Sequence, residues 1–288
     1  MNVYIYFNNK QINPVPKMIS VIIPTAGNNP ERIINLQETL QCLRNQSYSD
    51  WELIIVEQSL DGNFYNDQIP CDQYIPIQDP ENRGFNLGWV NNVGAGVAKG
   101  NRLVIMNGDI VFADGLLESV ANFKGAPFFI ASTYTIWTTR KQKEEFLKSR
   151  DLTALLDISD VPESPFLDIW ATNLAIAYDR DWYLNTFGGY LENFFRWGWE
   201  EIEAVNRILN ILEIRNSELE QIKGTGIAHL FHTNRDQRSH MKNRKIFTVF
   251  RCQDPKVICT ALQAKGVGNP KLPNPISVPT KRRMRNIV

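Results

Sequence analysis

At 288 residues, with 43% apolar and 22% charged side chains, the chain has the make-up of an ordinary folded protein, which excludes disorder over its bulk. Formal charge is zero overall, yet about a dozen Lys and Arg from Arg238 onward face a single acid, Asp254, so the rest is net acidic. Cys42, Cys71, Cys252 and Cys259 lack CxxC spacing, which argues against zinc and against a disulfide framework. No apolar run reaches the ~18 residues of a membrane span, and the first residues do not resemble a signal peptide. A cytoplasmic protein is expected. Nucleic acid is not expected as a partner, because the cations come late, are interleaved with prolines and follow no binding motif.

Residues 18–23 (MISVII) form a β-branched run closed by Pro24 and read as a buried strand. A loop from Thr25 leads to Pro30, suited to a first helical turn, after which Ile33, Ile34, Leu36, Leu40 and Leu43 keep helical spacing. Residues 51–56 (WELIIV) are a second strand, followed by a polar run from Glu57 to Gly62. Strand, helix, strand makes a βαβ unit. Ligands of such sheets gather at the carboxyl ends of the strands, which puts Thr25 and Glu57 on the binding edge.

A short strand is expected at 74–77, a small-residue helix at 89–98, and a third clear strand at 102–106, ending in Asn107-Gly108-Asp109. An acid at that place suits metal or phosphate work; the alternative is a cap on the next turn. Helix is expected at 116–123, strand at 128–135, a charged helix at 141–156 and a loop at 160–165, the last two as an insertion or lid. Residues 169–178 alternate as a strand, and 224–231 as a final strand ending in His229-Leu230-Phe231-His232. Beyond about Thr260 the Gly-, Pro- and Lys-rich chain shows no periodicity and is expected to be extended or mobile.

The densest chemistry is Phe195-Arg196-Trp197-Gly198-Trp199-Glu200-Glu201-Ile202-Glu203. Two tryptophans run into three carboxylates at the start of a helical pattern, where the helix dipole favours ionised acids. Trp197 and Trp199 beside carboxylates suit a sugar, with ring faces to stack on and oxygens to hydrogen-bond hydroxyls. The plainer alternative is a well-charged helix start with two half-buried aromatics. A strand-end acid, these carboxylates and a late His-x-x-His would together serve glycosyl transfer from a nucleotide sugar. A divalent metal neutralises the diphosphate leaving group, and a carboxylate acts as base on the acceptor hydroxyl.

In these motifs the sequence resembles the GT-A glycosyltransferases, specifically glycosyltransferase family 2 and relatives such as the β-1,4-galactosyltransferases, over residues 20–236. Ser20-Val-Ile-Ile-Pro24-Thr25 is similar to the family's opening strand, and Glu57 to its nucleoside-contacting acid. Arg83-Gly84 and Asn91-Asn92-Val93-Gly94 are similar to the segment before the metal strand. Asn107-Gly108-Asp109 stands at the family's Asp-x-Asp position but has Asn first, so only Asp109 carries over as a metal ligand.

The same resemblance implies Glu201 as acceptor base and Glu200 as a sugar contact, with a one-residue ambiguity between them, while Glu203 is either a further contact or a helix-face charge. Trp197, Trp199 and Asn173 fall on the acceptor side. His232, then His229, would join Asp109 on Mn²⁺ or Mg²⁺, in a C-terminal region, with Arg235-Asp236, of galactosyltransferase type. The resemblance implies an α/β fold with a mixed, mostly parallel central sheet flanked by helices. It divides the chain into an N-terminal strand or extension (1–17), a GT-A domain (18–250) and a basic extension (251–288).

The implied activity is inverting, metal-dependent transfer from a UDP-sugar to a glycan or lipid-linked acceptor in polysaccharide biosynthesis. The basic C-terminus would rest peripherally on the inner face of a membrane. The alternative is a binding protein of this fold whose chemistry is impaired, favoured by Asn107. A nucleotidyltransferase ranks last, because the loop after the first strand has one glycine and no cation before Arg32.

Overall fold

β1 (Ile19–Thr25) is buried on both faces, as a continuous apolar run requires. The computed structural model describes residues 18–26, 29–65, 68–157, 174–196, 198–233 and 237–277. Expectations for 1–17, 160–165, Asn173, Trp197, Arg235-Asp236 and 278–288 lie outside the described residues. β1 pairs in parallel with β2 (Trp51–Ser59) on one side and with β4 (Arg102–Met106) on the other, and β3 (Gln73–Gln78) extends the parallel set beyond β2. β8 (Ala175–Asp179) joins β4 antiparallel, and β6 (Phe128–Ile130) closes the order β3-β2-β1-β4-β8-β6. The central sheet is therefore mixed and mainly parallel, with helices on both faces, as expected.

Period-two alternation assigns the faces. Val21 and Ile23 of β1 and Leu53 and Ile55 of β2 pack with Leu36, Leu40 and Leu43 of helix α1 (Pro30–Arg44). Ile22, Ile54 and Val56 pack on the opposite side with Val90 and Val93 of α2 (Leu87–Val97). Gly94 lets α2 sit this close, since a Cβ there would lie 2.4 Å from Ile22 Cγ2. Asn29 caps α1 by accepting from the Glu31 N–H, with Pro30 in the first turn. Pro24, expected to end the strand, lies inside β1. It sits where pairing with β4 has stopped at Ile22 and only β2 continues beside it, so its missing N–H is tolerated.

Residues 128–135 do not form one strand. β6 belongs to the main sheet, whereas β7 (Tyr134–Trp137) joins β5 (Ile110–Phe112) and β9 (Gly226–His229) in a second sheet of order β5-β9-β7. The charged helix is also divided: α4 (Arg140–Ser149), started by a Thr139–Gln142 capping box, ends at Arg150 in a left-handed conformation before a separate turn at Leu152–Leu155. α3 (Leu116–Asn122) completes the middle of the chain.

α5 (Glu200–Leu212) inserts Ala204, Val205 and Ile208 into the cluster on the α2 side. α6 (Gln237–Arg251) and α7 (Pro255–Lys265) were not anticipated, and the irregular stretch expected beyond Thr260 begins at Gly266 instead. Their apolar residues Phe247, Phe250, Ile258 and Leu262 meet Leu191 and Phe194 in a third cluster, and Ile276 joins it from the following segment. None of the described helices is long and apolar enough to cross a membrane.

Candidate active site

Strand pairing brings the metal-ligand candidates together. Ile110 of β5 stands opposite His229 of β9, and the Leu230 N–H donates to the Asp109 carbonyl at 2.8 Å. Asp109 and His229 are thereby neighbours across the sheet although 120 positions separate them in sequence. His229 Nε2 lies 3.3 Å from Asp109 Oδ1, and His232 Nε2 lies 3.1 Å from Asp109 Oδ2. One ligand atom from each of the three residues falls within 4.8 Å of the others.

Asp109 is buried, which by itself would raise its carboxyl. His229, His232 and Arg32 outweigh that and hold it at about 2. Its Oδ1 makes no hydrogen bond, although buried. A buried carboxylate with an unsatisfied oxygen and two imidazole nitrogens fits a divalent cation tolerant of nitrogen, such as Mn²⁺.

Two helices pin the histidine segment. Thr233 donates from both its N–H and its hydroxyl to Glu31 of α1, whose carboxyl is lowered mainly by those bonds. Lys143 of α4 donates to the Phe231 carbonyl at 3.0 Å, and the Thr138 hydroxyl donates to the His229 carbonyl at 2.9 Å. Two residues here were not foreseen. Arg32 extends to 3.7 Å from Asp109 and 3.4 Å from His232. The available signal was its place as the first cation after β1, in the first turn of α1. Trp137 stands directly across from His229 in the β7–β9 register, with ring centroids 4.3 Å apart, and remains 44% exposed. Nothing in its sequence neighbourhood marked it.

The carboxylate half is built on glycine turns. Gly188, Gly189 and Gly198 all have positive φ, and Trp199 joins them at φ 78° as the residue before α5. Glu200 is buried and Glu201 half-buried in the first turn. Desolvation raises both carboxyls, Glu200 to about 7 and Glu201 to about 8, and Glu201 is raised further by Glu200 and then by Asp109. The two halves of the site therefore feel each other. Glu200 Oε2 is buried without a hydrogen bond, an acceptor suited to a hydroxyl.

Glu203 resolves into a structural role. It pairs with Arg207 at 2.9 Å, both side chains buried, and Arg207 donates onward to the Phe187 and Gly189 carbonyls. Trp199 packs against Phe247 and His240 of α6, at ring centroids of 4.9 and 5.2 Å, so much of its ring is already in contact with protein.

The residues expected along the nucleoside side divide. Thr25 ends β1 half-exposed on the strand edge, and Asn107 follows β4, its N–H donating to the Leu174 carbonyl. Glu57 is fully buried, accepting from the Tyr65 N–H at 2.9 Å and the Tyr74 hydroxyl at 2.6 Å, and so ties a loop to β3. Asn92 is buried too. Its amide donates to the Tyr190 carbonyl and to Glu192, and its carbonyl accepts from Tyr183 and the Tyr190 N–H. Arg83 makes a bidentate pair with Asp79 and lies 4.4 Å over the Phe195 ring. Asn92 thus spends its hydrogen-bonding capacity on the fold.

The mainly parallel sheet thus carries an Asp-His-His cluster beyond the end of its β4 strand, and the start of α5 presents a carboxylate pair that feels the Asp109 charge. The chain belongs to glycosyl transferase family 2, whose sequence model matches residues 20–168, just over half its length. Its backbone is similar to that of a Drosophila β-1,4-galactosyltransferase 7 mutant in complex with manganese, UDP-Gal and xylobiose, at 13% identity and TM-score 0.46 over 82% of this chain and 80% of that one. It is also similar to the mannosyltransferase PcManGT of Pyrobaculum calidifontis in complex with GDP-Man and Mn²⁺, at 15% identity and TM-score 0.44, covering 88% and 67%. A third similar structure is S. aureus TarS 1-349 with UDP, at 12% identity and TM-score 0.49, covering 86% and 70%. Among curated protein sequences none matches.

Proposed function

We propose that this glycosyltransferase is inverting and metal-dependent, moving a hexosyl group from a UDP-sugar to a hydroxyl of a glycan or lipid-linked acceptor. The observation that carries the reading is geometric: Asp109, His229 and His232 each offer a ligand atom within 4.8 Å of the others, and the Asp109 charge reaches Glu201 in the carboxylate pair. Asp109, His229 and His232 would hold the cation, and Mn²⁺ suits that donor set. The cation would offset the charge that develops on the departing diphosphate. Arg32 adds a fixed positive charge at the same edge.

Glu201 takes the proton of the acceptor hydroxyl as that oxygen attacks the anomeric carbon. The new C–O bond forms on the face opposite the breaking bond to the diphosphate. Raised but titrating near neutrality, the Glu200–Glu201 pair can hold one proton between them, leaving one base and one hydrogen-bond donor. Glu201 is the better base because it is the less enclosed of the two and the one that senses Asp109. Glu200 serves a sugar hydroxyl through its unsatisfied oxygen. Trp137, with a ring face open beside His229, is a better sugar platform than the packed Trp199.

Transfer assays from UDP-sugars, with and without Mn²⁺, test this reading. Full transfer activity in Glu201→Gln would remove the base assignment, and unchanged metal dependence in Asp109→Ala would remove the metal site. Nucleotide-sugar binding without turnover on any acceptor would favour the impaired binding protein instead.

A further inference from the structure

Helix α6 divides cleanly into two faces. Asn243, Phe247 and Phe250 are buried, whereas Met241, Lys242, Arg244, Lys245, Thr248, Val249 and Arg251 are exposed. At 100° per residue the exposed set occupies one half of the helix circumference. It carries four cations, and the whole helix contains no acid. Lys242, Lys245 and Arg251 have no ion-pair partner among the described residues. Between them Met241 is 58% exposed and Val249 40% exposed, and the next helix, α7, also exposes Lys256 and Val257.

We propose that this face of α6 docks on an anionic phospholipid surface. The charge calls for a polyanion, and the exposed thioether and valines select among polyanions. A soluble polyphosphate or acidic glycan gives apolar side chains nothing to enter, whereas a bilayer offers negative headgroups over an apolar layer. The chain also continues past the described residues with Lys281, Arg282, Arg283 and Arg285 in sequence, which keeps the same sign.

The buried face of α6 makes the docking relevant to the site. Asn243 donates to the carbonyls of Phe195 and Gly198, and Phe247 meets Trp199, so α6 directly braces the turn that presents Glu200 and Glu201. A surface bound to α6 would lie about one helix diameter, ~10 Å, from that turn. The docking itself does not depend on the transfer mechanism, and its test is separate from activity.

The test is sedimentation of the full chain with vesicles of phosphatidylcholine containing about one third phosphatidylglycerol, against pure phosphatidylcholine, at low and physiological salt. The wild type binds only the anionic vesicles. Lys242→Gln with Lys245→Gln weakens binding roughly 25-fold, about fivefold per charge removed. Met241→Gln with Val249→Thr, which remove apolar surface without changing charge, also weaken it, while thermal stability and turnover on a soluble acceptor stay at wild-type levels. Binding lost on truncation after residue 277 but untouched by the α6 substitutions would assign the contact to the terminus and overturn the proposal. Equal affinity for a soluble polyphosphate, insensitive to Met241→Gln and Val249→Thr, would overturn the lipid assignment.

Discussion

Asp109 and the Glu200–Glu201 pair are wholly or partly buried carboxylates held in opposite protonation tendencies. Burial opposes ionisation in both. Asp109 is rescued by two imidazoles and a guanidinium, while Glu200 has only the N–H groups of Gly198 and its own backbone against its burial, and Glu201 feels Glu200 and Asp109, both of its own sign. One turn further along the same helix, Glu203 is as buried as Glu200 but has Arg207 against it. Residue type therefore says little about charge state here; the neighbour decides.

The sharpest way to break the comparison is Glu201→Gln. Loss of a general base is expected to lower turnover by about 10²–10⁴-fold, while Mn²⁺ affinity by calorimetry stays unchanged. An equal fall in metal affinity would mean that the two halves are one unit. Arg207→Met would leave Glu203 buried and unpaired, at a cost of about 3–5 kcal/mol in urea unfolding. A loss below about 1 kcal/mol would show that Glu203 finds another partner or takes up a proton readily.

On the metal side, His232→Ala should weaken Mn²⁺ binding by at least the roughly 10–100-fold seen when even an outer partner is lost. His229→Ala should do the same and also free the Trp137 ring. Glu200→Gln addresses the raised pair through stability. A carboxyl whose folded value lies above its unfolded value favours folding most below the unfolded value, and that advantage is lost as pH rises through about 7. The variant should therefore gain on the order of 2 kcal/mol over wild type near pH 8.5 and little near pH 5. A gain at low pH instead would reverse the sign of the argument. Smallest of all, Asn29→Ala should cost about 1 kcal/mol through the lost α1 cap, with no change in pH profile.

Much of this was legible in the sequence because the signals were local. The β-branched runs of β1, β2 and β4, the Pro30 helix start and the strand-end acid each need only a few neighbouring residues to be recognised. The family resemblance then grouped Asp109, Glu201 and the two histidines as one expected site, and strand pairing brings Asp109, His229 and His232 of that set together. The division of residues 128–135 was not legible, because β6 and β7 differ only in which distant strand they meet. The buried roles of Glu57 and Asn92 were hidden for the same reason: their partners, Tyr74 and Tyr190, are remote in sequence. Helices α6 and α7 escaped notice because a high density of cations masked their apolar stripe.

The β5–β9 pairing carries a consequence for biosynthesis. Asp109 is made long before its histidine partners, and the strand that delivers His229 emerges after most of the central sheet is complete. Until that late strand docks, the chain holds a lone carboxylate rather than a chelating set. Acquisition of the cation would thus report that β9 has docked, and a ribosome-stalled chain ending before β9 would fold much of its sheet without holding the ion.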